Sequence, residues 1–307
     1  NLGATLTNIV LSRFGGLGDL LMVLGAAKAM AIRGNTIIIN TAPKYRHVAL
    51  ACPYVSNVIS DPSIGIDLGG IIFGSSQCHQ IDAYLEFLGL DSASVPPAHK
   101  QIEFRYDKDM DVSMLPKDYV LVHTPTSYDK GNRTAGREHW QKIITALAND
   151  GHNVCAFGNP DPSGKDHTYE HSFGTISVQD ILMSASLIHK AKAVISVDSG
   201  PVQIAAATDT PIISTYGVTK PEFRLPFRHG KLGWNAVGLT SPCPHHPCYK
   251  TIIADVTRDV PVFDPEKLNN YYGSYCPAGD FRCTNVSPES VVSALNTLLE
   301  TNNVQAK

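Results

Sequence analysis

At 307 residues the chain is about twice the ~150-residue expectation for a single domain, so two domains of similar size are expected. With 43% hydrophobic and only 17% charged residues it has enough apolar surface to offset chain entropy, which excludes a disordered or low-complexity chain. Twenty-five Lys and Arg against 28 Asp and Glu give a net charge of −3, so the broad positive field of a non-specific nucleic-acid or anionic-membrane binder is absent.

No run reaches the ~20 apolar residues that a membrane-spanning helix needs, and the best stretch, 20–32, is short and carries Lys28, so it reads as a buried helix. No basic-then-apolar leader opens the sequence, so secretion is not signalled. The seven cysteines are odd in number and too sparse for a disulfide scaffold, which favours a reducing, cytoplasmic compartment.

In chain order, the β-branched run 7–13 leads into the turn Phe14-Gly15-Gly16-Leu17-Gly18-Asp19 and an Ala/Leu/Met-rich helix to about residue 32. Apolar runs at 36–39, 55–59 and 70–73, each bounded by turn signals, are the pattern of a parallel sheet buried on both faces. After a Pro-bearing stretch the alternation restarts: strand 118–123, helix 137–149, strand 153–157, helix 178–190, strand 193–197, helix 200–208 and strand 211–216. Residues 218–286 break the rhythm with many Pro, Gly, His, Tyr and Cys, and Ser287 as N-cap with Pro288 at the first helical position opens a final helix. The expected organisation is therefore α/β, with two Rossmann-like, doubly wound domains, 1–112 and 113–307, facing across a cleft where the carboxyl ends of the strands receive ligands.

Hydride chemistry is disfavoured. Gly16-Leu17-Gly18 is followed by Asp19-Leu20-Leu21 rather than by a third glycine, and the second strand ends at Asn40 where an NAD site wants Asp or Glu. A phosphate loop is missing too, because Gly164-Lys165 and Gly230-Lys231 are followed by Asp166 and Leu232. Asp19 reads either as a first-turn carboxylate favoured by the helix dipole or as a catalytic base. Asp198, Ser199 and Gly200, between a strand and an Ala-rich helix, read either as helix caps or as a phosphate-binding turn. Arg224, Arg228, His229 and Lys231 form a local basic set that reads as a solvated loop face, with contact to an anion as the alternative.

Five pieces in order carry a resemblance: Gly15-Gly16-Leu17-Gly18-Asp19; His79 to Leu85 with Leu88-Gly89-Leu90; Glu138-His139-Trp140 preceded by Arg133; Ile195 to Gly200 with 205–217; and the ending NVSPESVVSAL. Together they look like the heptosyltransferase family of GT-B glycosyltransferases, over nearly the whole chain. The resemblance implies an inverting enzyme, with no cofactor required for catalysis, that moves a sugar from an ADP- or UDP-sugar donor to an acceptor hydroxyl. It makes 1–112 the acceptor-binding domain and 113–307 the donor-binding domain. Asp19 occupies the base position of the family's glycine turn, and Arg133 matches its basic residue before the Trp-containing helix, with Lys130 and Arg137 close by. Asp198, Ser199 and Gly200 match its donor-binding turn, and Thr124 and Thr126 are candidates for diphosphate contacts. The pattern is broken at Gln203, where the family has histidine; Gln still donates a hydrogen bond but carries no charge. That departure leaves the donor sugar open and motivates an alternative, a catalytically silent nucleotide-sugar binder. The acceptor is open as well: a lipopolysaccharide core sugar, another glycan, a protein side chain or a modified nucleic-acid base would each present a hydroxyl.

The cysteines add an independent signal. Cys243 and Cys248 flank His245 and His246, and Cys276 and Cys283 follow in the same irregular segment, so four soft ligands come from two nearby stretches. Structural zinc or iron, two disulfides, or free buried thiols are the three readings.

Overall fold

The computed structural model describes residues 7–69, 71, 78–123, 135–158, 169–248 and 276–305. Its first layer is a four-stranded parallel sheet in the order β3-β2-β1-β4. The strands are β1 (Asn8–Arg13), β2 (Thr36–Thr41), β3 (Asn57–Ile59) and β4 (Ile66–Asp67), joined by α1 (Leu17–Ile32), α2 (Arg46–Ala51) and, after β4, α3 (Gln80–Phe87). Helix α1 buries every residue from Leu20 to Met30 because it is covered by β1, β2 and α3 on one side and by the second domain on the other. Lys28 is tolerated inside it because its ammonium pairs with Glu103.

The second layer is a six-stranded parallel sheet in the order β12-β9-β8-β5-β6-β7. It uses β5 (Tyr119–His123), α4 (Arg137–Asn149), β6 (Asn153–Gly158), β7 (Thr175–Ser177), α5 (Ile181–Lys190), β8 (Ala193–Val197), α6 (Gly200–Ala205) and β9 (Ile212–Tyr216). Then come the short antiparallel pair β10 (Phe227–Arg228) and β11 (Lys231–Leu232), the parallel edge strand β12 (Ala236–Thr240) and the terminal helix α7 (Pro288–Gln305). Strands β5, β8 and β9 are buried at every residue, which is why they read as unbroken apolar runs rather than alternating ones. Helix α4 buries Trp140, Ile143, Ile144 and Leu147, one stripe at helical spacing. Ser287 Oγ accepts from the Ser290 N–H at 3.1 Å and caps α7, which packs on α4 and β12.

Four sequence expectations need correction. The first sheet's fourth strand is Ile66–Asp67, not 70–73; of that run only Ile71 is described, and it is not in a strand. Helix α6 stops at Ala205, short of 208, and the segment 218–286 is not irregular throughout, since β12 extends the main sheet. The basic set is a solvated face only at His229 and Lys231, which are exposed. Arg228 is fully buried, donating to the carbonyls of Thr208 (2.8 Å), Thr210 (2.9 Å), Trp234 (3.1 Å) and Asn235 (2.7 Å). Burial pulls its guanidinium down to about 10, still charged at neutral pH, and the four carbonyls replace the water that charge gave up. Arg224 is buried as well, whereas His229 pairs with Asp209 at the surface.

Candidate active site

The site lies where α1 and α6 meet, at the carboxyl ends of β1 and β8. The turn between β1 and α1 is built around Arg13, the last residue of β1. Its Nη2 reaches the Asp19 Oδ2 at 2.6 Å, with the arginine almost wholly buried and the carboxylate partly open to solvent. Burial works against the Arg13 charge, but Asp19 above all, with Tyr84 and Asp67, outweighs it, and the guanidinium is held firmly protonated.

The glycines of this turn provide space. None of Gly15, Gly16, Gly18 or Gly200 takes a positive φ. A Cβ on Gly15 would fall 2.5 Å from the Arg13 guanidinium carbon, so the arginine passes directly beneath it. A Cβ on Gly18 would stand 3.6 Å from the Gly200 Cα and N, and one on Gly200 would press on Leu17 at 3.3 Å. These two glycines let the first domain's turn and the second domain's turn approach backbone to backbone.

On the second domain, Asp198 follows β8 and accepts from the Thr219 hydroxyl at 3.4 Å, with the Arg224 Nε 4.0 Å away. Ser199 holds the N-cap position of α6 without a capping side-chain hydrogen bond; its hydroxyl lies 3.1 Å from the Val197 carbonyl, 3.1 Å from Ser196 Oγ and 3.4 Å from His123 Nδ1. The capping alternative therefore does not account for Ser199. Gln203 is buried and donates its amide to the Arg224 carbonyl at 2.9 Å. Arg224 in turn donates to Gln80 Oε1 on α3 at 2.7 Å, and the His79 Nε2–H donates to the Leu225 carbonyl at 2.9 Å while Nδ1 accepts from the Ile81 N–H at 3.1 Å. The segment after β9 is thereby tied both to the Asp198 turn and to α3 of the first sheet.

Asp19, Asp198, Ser199, Gly200 and Gln203 are thus gathered around one junction. Thr124, Thr126 and Arg133, with Lys130, lie outside the described residues. Sequence reading missed Arg13 and His123; the signal available for Arg13 was a lone cation closing a strand that is otherwise apolar or small.

The four C-terminal cysteines are free thiols, and among the described residues no three His, Cys, Asp or Glu side chains form a group able to hold a metal ion. Two of the four thiols still sense the others. Burial first, then Cys283, Cys243 and Cys276, push the Cys248 thiol up to about 12, and burial with Cys243 and Cys276 pushes Cys283 up to about 11. Both segments open on Cys-Pro and fold into turns: the His246 N–H donates to the Cys243 carbonyl at 3.1 Å, the Gly279 N–H to the Cys276 carbonyl at 3.0 Å, and the Phe281 N–H to Cys276 Sγ at 3.3 Å.

Two Rossmann-like parallel sheets meeting at such a junction define the GT-B class, and known structures agree. The E. coli ADP-heptose lipopolysaccharide heptosyltransferase II superposes with a TM-score of 0.65 at 13% identity, over 97% of this chain and 100% of that one. TibC of enterotoxigenic E. coli, a dodecameric iron-containing heptosyltransferase solved in complex with ADP-D-beta-D-heptose, gives 0.70 at 16% identity, over 99% and 81%. The chain belongs to glycosyltransferase family 9 (heptosyltransferase), whose family model matches residues 79–251. In sequence it is 28% identical over 104 residues to lipopolysaccharide heptosyltransferase 2 of Salmonella typhimurium, covering 30% of this chain and 29% of that protein's length. No helix among the described residues is long and apolar enough to cross a membrane.

Proposed function

We propose that the protein is an inverting, metal-independent glycosyltransferase that moves a sugar, heptose being the first to test, from an ADP-linked donor to a hydroxyl of a lipopolysaccharide core, on the cytoplasmic side of the cell. The carrying observation is the placement of Asp19 in the first turn of α1, with the backbone of its turn packed on Gly200 of the opposite domain. In this reading residues 1–112 receive the acceptor and 113–307 the donor. Asp19 takes the acceptor hydroxyl's proton, the acceptor oxygen bonds to the anomeric carbon, and the bond to the diphosphate breaks with its electron pair leaving on the phosphate oxygen. Asp198, Ser199 and the Gly200 backbone hold the donor, Gln203 supports them through Arg224, and Thr124, Thr126 and Arg133 meet the diphosphate.

The relatives' printed activities, lipopolysaccharide heptosyl transfer and an ADP-heptose complex, support this choice of donor and acceptor. Thermal unfolding with ADP-heptose, UDP-glucose and GDP-mannose tests the donor: ADP-heptose at about a hundred times its Kd is expected to stabilise by ~2.7 kcal/mol, and the other two less. Stabilisation by none of the three removes the donor assignment. Turnover of ADP-heptose onto a heptose-deficient lipopolysaccharide core separates an enzyme from the silent binder that Gln203 suggested.

For the cysteines we propose a structural metal that would draw Cys243, Cys248, Cys276 and Cys283 into one ligand set, which they do not form as they stand. Four soft donors from two neighbouring turns suit zinc or iron, which would offset the cost that burial and the nearby thiols place on the Cys248 and Cys283 thiolates, and an iron-containing neighbour of the same fold supports the reading. Elemental analysis of protein purified without added metal is expected to find close to one equivalent, with chelation lowering the unfolding temperature. Seven titratable thiols on unfolding and no metal would sink the site.

A further inference from the structure

We propose that Arg13 is a positioning residue for transfer: it pins one oxygen of Asp19 and leaves the other free for the acceptor hydroxyl, and Gly15 is side-chain-free so that the guanidinium can pass beneath the turn. This rests on the reading of Asp19 as the base. An exposed carboxylate in the first turn of a helix samples several rotamers. Asp19 does not stand alone: the Nη2–Oδ2 contact of 2.6 Å is a charge-assisted bond made by a cation that is itself 8% exposed and anchored at the end of a central strand. The Arg13 carbonyl is fixed in addition by the Thr41 hydroxyl at 2.8 Å. The titratable groups facing Arg13 are Asp19 on α1, Asp67 on β4 and Tyr84 on α3, so the guanidinium stays charged across the working range and the fork cannot let go by deprotonation.

Among the described residues the bond is to Oδ2 alone, which leaves Oδ1 to accept a proton. Space confirms the arrangement from a second direction. Gly15 has an ordinary φ, so its backbone does not require glycine, but a Cβ there would stand 2.5 Å from the guanidinium and push that flexible end aside.

Arg13→Ala, Arg13→Lys, Gly15→Ala and Asp19→Asn are compared with wild type, using ADP-heptose and heptose-deficient lipopolysaccharide core, for kcat, donor KM and unfolding temperature. Arg13→Ala is expected to lose ~100-fold in kcat with donor KM within about 2-fold, because the base is misplaced while the donor site on the other domain is intact. Free guanidinium at tens of millimolar, well below denaturing concentration, is expected to restore part of that rate. Arg13→Lys should fall between the two, keeping the charge but not the fork, and Gly15→Ala should lower kcat while keeping every charge. Wild-type kcat in Arg13→Ala overturns the proposal, as does a loss that guanidinium does not reverse and that tracks a fall in unfolding temperature. Full activity in Asp19→Asn would instead sink the base itself, a different failure. Crystal structures of wild type and Arg13→Ala give a readout that needs no substrate: the Asp19 carboxylate is expected to leave its single orientation without Arg13, and an unmoved carboxylate overturns the role.

Discussion

Asp19→Asn is expected to lower kcat by about 100- to 10,000-fold, the range over which a positioned general base contributes, while leaving the fold and donor affinity close to wild type. The substitution is isosteric, and the new amide oxygen can accept from Arg13 Nη2 as Oδ2 does now. What disappears is the lone pair basic enough to take a proton as the acceptor oxygen attacks. The fold should survive because α1 is held by its buried residues from Leu20 onward, and because Asp19 makes no capping bond, the N-cap being Gly16. Arg13 keeps Asp67 as a neighbouring carboxylate. Donor KM should move little, since Asp198, Ser199 and Gly200 belong to the second domain. Initial-rate measurements with ADP-heptose, alongside thermal unfolding of both proteins, test this directly. Transfer at the wild-type rate would remove Asp19 from the chemistry. A loss of rate accompanied by a matching loss of stability would make it a structural carboxylate of the kind the helix-dipole reading describes.

How far the sequence reached depended on whether a feature was local. The strands β5, β8 and β9 announced themselves because parallel strands buried on both faces must be apolar at consecutive positions. Ser287-Pro288 marked the start of α7 because capping and proline at the first helical position act within one turn. Strand β12 was hidden for the opposite reason: Ala236–Thr240 is a half-buried edge with a glycine in its middle, and only pairing with β9 makes it a strand. Arg228 looked like one of several loop cations, since its four carbonyl partners come from two loops, 208–210 and 234–235, on either side of it in sequence. At the site, Asp19 and the Asp198 turn were legible as motifs. The reason for Gly15 was not, because it depends on where the Arg13 side chain runs.

Stability should fall steeply as the pH is lowered from neutrality toward 4, and two buried histidines supply most of the slope. Burial pulls the His79 imidazole down to about 3, outweighing the favourable Leu225 carbonyl, and burial alone takes His123 down to about 4, against the usual 6.5 in the unfolded chain. Both rings are neutral in the folded protein at pH 7. His79 must be, because its Nδ1 accepts from the Ile81 N–H and a protonated ring has no acceptor. Above pH 6.5 neither folded nor unfolded chain binds these protons, so stability is indifferent to pH on their account. Below 6.5 the unfolded chain takes up both protons and the folded chain refuses them, which lowers the unfolding free energy by about 1.4 kcal/mol per pH unit for each histidine. The loss continues until the folded rings themselves protonate, near pH 4 for His123 and near pH 3 for His79. His189, lowered chiefly by partial burial, acts in the same sense but largely in solvent, and so do the exposed carboxylates Asp61 and Glu86, lowered by their bonds to Ser63 and Ser92. Urea unfolding at half-unit steps from pH 7 to 4.5 measures the slope. His79→Gln and His123→Gln should each remove about one proton's worth of it and the double variant nearly two. A stability that is flat over that range, or a slope untouched by the double substitution, would mean that the rings are reached by water or by a counter-charge and titrate normally in the folded protein.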